Sequence, residues 1–160
     1  MATLADLPLK YRLFLRTYRY RSVDWRPGAV LKKPLSRARI AAITTAAFYT
    51  PDQSPFDKSM RGGDVSFRII PPDTDLRGLG IAHRSDAFDH RGIEADKNLA
   101  LPLDRLREFA RERRIGSVAA RHFSFMGSIP APGRLVSGTA PEVVRLLRDD
   151  GVDGVLLTPV

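Results

Sequence analysis

Three histidines lie in the second half of the chain, His83, His90 and His122. The first two lie in the acidic stretch HRSDAFDHRGIEAD, which adds Asp86, Asp89, Glu94 and Asp96, and the third opens HFSFMG. Imidazole changes charge nearest neutral pH, so a histidine beside a carboxylate can move protons, and with further ligands it can hold a divalent metal. Both readings are open for His83, Asp89, His90 and His122. The plainer reading, Asx turns and surface contacts in loops, stands beside them. No HExxH or comparable tight spacing selects a metal, and none is assigned. Cysteine is absent. That removes disulfides, thiolate metal ligands and thiol nucleophiles from these residues. Thr44 and Thr45, at the end of an apolar run, and Phe125 and Met126, in SFMG, are candidates for substrate contact. Their plainer roles are strand-terminal hydroxyls and a loop anchored to the core.

The elements that would position these groups alternate between short apolar runs and amphipathic helices. RIAAITTAAF is the first strand, VSFRIIP the second and LGIAH a short third one ending at His83. HRSDAFDHRGIEADKN has no clean period and is expected to be a loop. PLDRLREFARERR is a helix with Leu103, Leu106, Phe109 and Ala110 facing the core. IGSVAAR is a fourth strand, and HFSFMGSIPAPGRLVSG a Gly- and Pro-rich loop. TAPEVVRLLRDDG carries Thr139 and Glu142 at capping-box spacing and Gly151 as its stop, and GVLLT is the last strand. This order predicts an α/β fold with a mainly parallel sheet and flanking helices. Parallel sheets gather ligands at the carboxyl ends of their strands, which is where most of the candidate residues fall.

The charge is uneven along the chain. Of a net +8, ten basic residues lie between Lys10 and Arg39 against only Asp6 and Asp24, so residues 40–160 are balanced. Residues 1–35 are expected to form a basic arm, with a helix capped by Asp6 followed by an extended linker, and residues 36–160 the α/β domain. The arm lacks any nucleic-acid reader motif, so a docking role on an acidic partner face, or simply a solvated helix face, is the better reading. No apolar run approaches a membrane span and the N-terminus lacks the order of a secretory signal, so a cytoplasmic protein is expected.

Taken together, ARIAAITTAAFYTPDQSPFD, GDVSFRIIP, IAHRSDAFDHRGIEADKNLALPLDRLREFA, RRIGSVAARHFSFMG and TAPEVVRLLRDDGVDGVLLTPV resemble one family. It is the selenoprotein B component of glycine, betaine, sarcosine and D-proline reductases, and the D-proline type is the most similar. The resemblance implies a dithiol-dependent reductase that cleaves a C–N bond of a small amine or amino acid. It also implies a thiol reductant and, in the glycine and proline types, a pyruvoyl-bearing partner subunit. The family's selenocysteine, or the cysteine replacing it, follows the strand that here reads LLTPV, so it is expected just after Val160 in a complete member. On that expectation the chain is truncated before its nucleophile, is inactive by itself, and associates as a homo-oligomer. A non-catalytic binding or subunit-interaction protein is the alternative, and a metal-dependent enzyme using the histidine loops is another.

Overall fold

The structure is a computed structural model, and it describes Ala5, residues 7–18, Asp24, residues 28–85 and residues 88–160. Two compact units divide the chain, Met1–Val30 and Leu31–Val160. In the first, α1 (Leu9–Thr17) follows Pro8, and none of its residues is buried. The expected cap, Asp6, lies outside the described residues.

The second unit is organised by β1 (Arg39–Thr44). Ile40 and Ile43 favour the extended backbone, and Ala41 and Ala42 are small enough for helices to pack closely on both faces. The remaining strands are β2 (Phe48–Tyr49), β3 (Phe67–Ile70), β4 (Gly80–Ile81), β5 (Ser117–Val118), β6 (His122–Phe125) and β7 (Gly154–Thr158). β7 lies parallel to β1 along one edge, from Ile40 opposite Gly154 to Thr44 opposite Thr158. β5 and then β6 lie parallel to its other edge, and β3 is added antiparallel outside β6. β2 and β4 form a separate antiparallel ribbon. The sheet is therefore mixed but mainly parallel, as the alternation of elements implied.

Helices cover both faces. α2 (Arg91–Ala95) is short, while α3 (Leu103–Arg111) and α4 (Ala140–Asp149) pack on the sheet. Leu103 and Leu106 of α3 bury against Ile40 and Ala42. Val143 and Leu147 of α4 bury against Ala41, Phe123 and Phe125 on the opposite face. α4 ends as its sequence predicts. Gly151 takes φ +64°, its N–H bonds the Arg148 carbonyl, and the Val152 N–H bonds the Leu147 carbonyl at 3.0 Å. This is a Schellman stop, and it aims the chain into β7.

Several expectations are corrected. HFSF is a strand, buried at all four positions, and not part of a loop. Its polar residues His122 and Ser124 alternate with Phe123 and Phe125, and both faces are covered, so polarity was a poor guide to burial. The stretch 83–98 is not all loop, because it contains α2 and a 3₁₀ turn, Lys97–Leu99. LGIAH joins the ribbon and not the main sheet. Thr139 makes no side-chain cap, because a π-helical turn, Leu135–Thr139, runs directly into α4 and leaves Thr139 helical.

One ladder is repaired by a side chain. Ile40 pairs with Val118 and Ile43 with Phe123, so the four residues between the pairs on one side, 119–122, face only Ala41 and Ala42 on the other. The ladder breaks at this bulge. The Ala42 N–H, which would otherwise be orphaned in the core, donates to His122 Nδ1 at 2.9 Å. Replacing His122 by Leu removes that acceptor. We expect the Ala42 amide of His122→Leu to exchange its hydrogen at least about tenfold faster, while amides of α4 are little changed. Unaltered protection of Ala42 in an NMR exchange experiment would show that the imidazole does not hold the ladder.

Candidate functional site

β1, β6 and β7 end together, since Thr44 stands opposite Ser124 on one side and Thr158 on the other. The residues that follow each strand therefore share the carboxyl edge. Thr45 meets the end of the chain there, its Oγ1 accepting the Val160 N–H at 3.0 Å. The Ala47 N–H bonds the Phe125 carbonyl at 2.8 Å, and the Ala82 N–H bonds the Ala47 carbonyl at 3.0 Å. These bonds carry His83 to the same edge. A Cβ on Gly127 would lie 2.9 Å from His83 Nε2 and 2.8 Å from the Thr45 carbonyl oxygen. Gly127 also holds φ +65°, so two constraints favour glycine at this point.

His83 is buried, with its ring 4.7 Å from Phe88 and 6.0 Å from His90 between centroids. Phe88 is also 4.7 Å from His90, so three rings cluster in one loop. His83 Nδ1 accepts the Ser85 N–H at 3.1 Å, while Nε2 is buried with no partner. Burial first, then the charges of His90 and Lys58, hold its pKa down at about 4. His122 repeats the pattern inside the sheet. Its Nδ1 accepts the Ala42 N–H, Nε2 meets no partner in good hydrogen-bond geometry, and burial, followed by the Arg107 charge, lowers its pKa to about 4 against an opposing contact with the Ala119 backbone. Both rings are neutral at neutral pH.

The tautomer follows. An Nδ1 that accepts a backbone N–H carries a lone pair, so in the neutral ring the proton is on Nε2. A metal-binding Nε2 needs the reverse, an Nδ1–H donating to an oxygen. Neither His83 nor His122 is set up to ligate a metal through Nε2. Among the described residues no cluster of three or more potential ligands is placed to hold an ion.

The other expected residues take different places. Asp89 is exposed and engaged by Arg91 at 2.7 Å, which lowers its carboxyl pKa to about 2, and it does not orient an imidazole. His90 leads into α2, and its Nε2 is buried without a partner. His122 opens β6, at the opposite end of that strand from Gly127, so His83 and His90 are brought together and His122 stands apart from the edge. Thr44 Oγ1 accepts the Ala46 N–H and donates to the Thr158 carbonyl, closing the strand end. Phe125 packs with Phe123 under α4, and Met126 packs with Ala47, Phe56 and Ala82. Asp86 lies outside the described residues. The structure adds Gly127, Phe88 and the buried, unpartnered Ser124 hydroxyl to the residues of interest. Only Gly127 carried a sequence signal, a glycine closing an aromatic run.

The family model described as glycine/sarcosine/betaine reductase selenoprotein B (GRDB) matches residues 26–160. The chain belongs to this selenoprotein B family. D-proline reductase subunit gamma of Acetoanaerobium sticklandii is 31% identical over 134 residues, covering 84% of this chain and 52% of its own length. Betaine reductase complex component B subunit beta of Peptoclostridium acidaminophilum is 32% identical over 129 residues, covering 79% and 29%. The chain thus spans about half the length of the first relative and under a third of the second. No solved structure matches it. The selenoprotein B match includes the whole sheet and every residue of the carboxyl edge, and leaves α1 outside.

The two neutral histidines make the fold acid-labile in a defined window. Their folded pKa values, about 4, lie below the unfolded value of 6.5. Between these limits the unfolded chain binds protons that the folded chain does not, so stability falls as pH drops and is flat above 6.5 for these groups. Carboxylates lose their contribution only below pH about 4. We expect the urea midpoint to fall between pH 6.5 and pH 4, and to fall less in His122→Leu. An equal fall in wild type and variant would place the titrating group elsewhere.

Proposed function

We propose that the chain supplies the wall of a reductase site at which a C–N bond of a small amino acid or amine is cleaved, the substrate being of the glycine, betaine, sarcosine or D-proline type. The carrying observation is the meeting of His83, Thr45, Gly127 and Val160 at one carboxyl edge in a selenoprotein B chain. Reductive cleavage balances as follows. The C–N bond breaks, carbon gains a hydrogen, nitrogen leaves as an amine, and a dithiol gives two electrons and two protons to become a disulfide. A selenolate or thiolate supplies the nucleophile for this chemistry. These residues contain no cysteine, so that group comes from another segment or a partner subunit.

The chain's own residues suit such a neighbour. The buried His83 Nε2–H is an orphaned donor, and the Lys58 charge acts on the same ring, so an anion is favoured beside them. His83 and His90 face the substrate as hydrogen-bonding rings. Thr45 holds the end of β7, and Phe125 and Met126, packed in the core, anchor the chain just before Gly127. Asp89, paired with Arg91, sets the field of the loop. His122 contributes at a distance by keeping β1 and β6 in register. With dithiothreitol and D-proline, glycine or betaine, the chain alone should release no reduced product, because no sulfur or selenium nucleophile is present. It should nevertheless bind one of the three by calorimetry, more weakly in His83→Leu. Turnover by the chain alone, or no binding of any of them, would overturn the reading.

The relatives are named as subunits, and one observation favours association for this chain too. Val155, Leu156 and Leu157 are exposed on β7, and among the described residues no strand pairs with its outer edge. An open apolar edge recruits another strand. We propose that a second copy does so. Light scattering at micromolar concentrations should then show a dimer or larger species, and Leu157→Lys should shift it toward monomer. A monodisperse wild-type monomer would refute this.

A further inference from the structure

Resting on the reading of the carboxyl edge as the reaction site, we infer that His83 serves there as a fixed neutral hydrogen-bond donor, presenting Nε2–H to the carboxylate of a small ligand, and is not a proton acceptor. The backbone sets this role. The Ser85 N–H lies two residues along the same loop and occupies Nδ1 at 3.1 Å, so the remaining ring nitrogen is the one that carries hydrogen. That nitrogen has no partner although it is buried. Native proteins rarely leave a buried donor unpaired, and a catalytic or binding role is one of the reasons they do. Its immediate neighbour is a glycine whose Cβ would lie 2.9 Å away, so any other residue would cap the donor. The Thr45 carbonyl is the nearby acceptor, 2.8 Å from that same Cβ position, yet it makes no hydrogen bond with the ring.

The surroundings specify the sign of the ligand. The Lys58 charge acts on the His83 ring, and Arg84 is held beside this loop by donating to the Met60 carbonyl at 2.8 Å. The nearby carboxylates are already committed: Asp57 to Ser59, Asp64 to the Asp57 N–H and Ser66, and Asp89 to Arg91. A second donor-capable nitrogen, His90 Nε2, is buried without a partner in the same ring cluster. Among the described residues the site offers donors and cations without a free carboxylate, and such a set selects an anion over an amine.

The test uses the full chain with 15N-labelled histidine. Long-range proton–nitrogen spectra at neutral pH should show His83 as the Nε2–H tautomer. Sodium acetate should shift that nitrogen saturably, and ethylammonium should not. His83→Gln, which keeps a side-chain donor, should hold acetate within about threefold of wild type, while His83→Leu should weaken it by at least about tenfold. An Nδ1–H tautomer, a response to ethylammonium alone, or undiminished acetate binding in His83→Leu would overturn the inference. A shift with ethanethiolate and none with acetate would also overturn it, assigning the donor to a chalcogenolate. None of these readouts needs turnover, so failure of the reductase reading would be seen separately.

Discussion

β1 is hydrogen-bonded on both edges and covered on both faces, and this constraint organises the domain. A strand so enclosed must be short, apolar and free of large side chains where helices approach, and RIAAIT meets those terms. Its partners are far away in sequence, β5 and β6 on one side and β7 on the other. Pairing with it brings the ends of three strands level. Every element of the carboxyl edge then falls where the loops leave that level.

The enclosure has a cost at the bulge between β5 and β6. A buried N–H left unpaired there would weaken the central strand. An imidazole repairs it, which explains why a histidine is fully buried among apolar residues. The same bond fixes the ring's protonation. His122 and His83 thus share one piece of chemistry, a backbone N–H on Nδ1, with different consequences. One ring is enclosed in the ladder, and the other reaches the edge beside Gly127.

Charge is arranged by end as well. At the amino end of β7, Asp153 accepts the Arg39 N–H at 2.8 Å and pairs with Lys33, while Asp150 is held by Arg121 at 2.6 Å. These contacts anchor the strand where it enters. At its exit, the contacts are hydroxyl and backbone bonds around Thr44, Thr45 and Thr158, with Lys58 and Arg84 close to the histidine loop. Tight ionic anchoring at one end and neutral donors at the other leave the carboxyl edge able to accept an anion.

The sequence by itself determined the class of fold, the helices α3 and α4, the glycine stop before β7, and the family, because each rests on local periodicity, local turn chemistry or a run of matched residues. It put His83 just after a strand by order alone, but not His122, which opens β6 at the far end from that edge. It did not disclose that HFSF is a buried strand, since His122 and Ser124 look like loop residues until both faces of the sheet are seen to be covered. Nor could it separate His83 from His122, or show that Asp89 is taken up by Arg91. Those distinctions depend on which backbone N–H each ring nitrogen meets and on which carboxylate is already paired. For His122 the partner is Ala42, eighty residues away, brought there only by strand pairing. For His83 the bond is local, but its burial and its approach to Gly127 come from three strands ending at one level. The tertiary structure therefore decided the chemistry of each imidazole, because protonation and donor direction are set by neighbours in space.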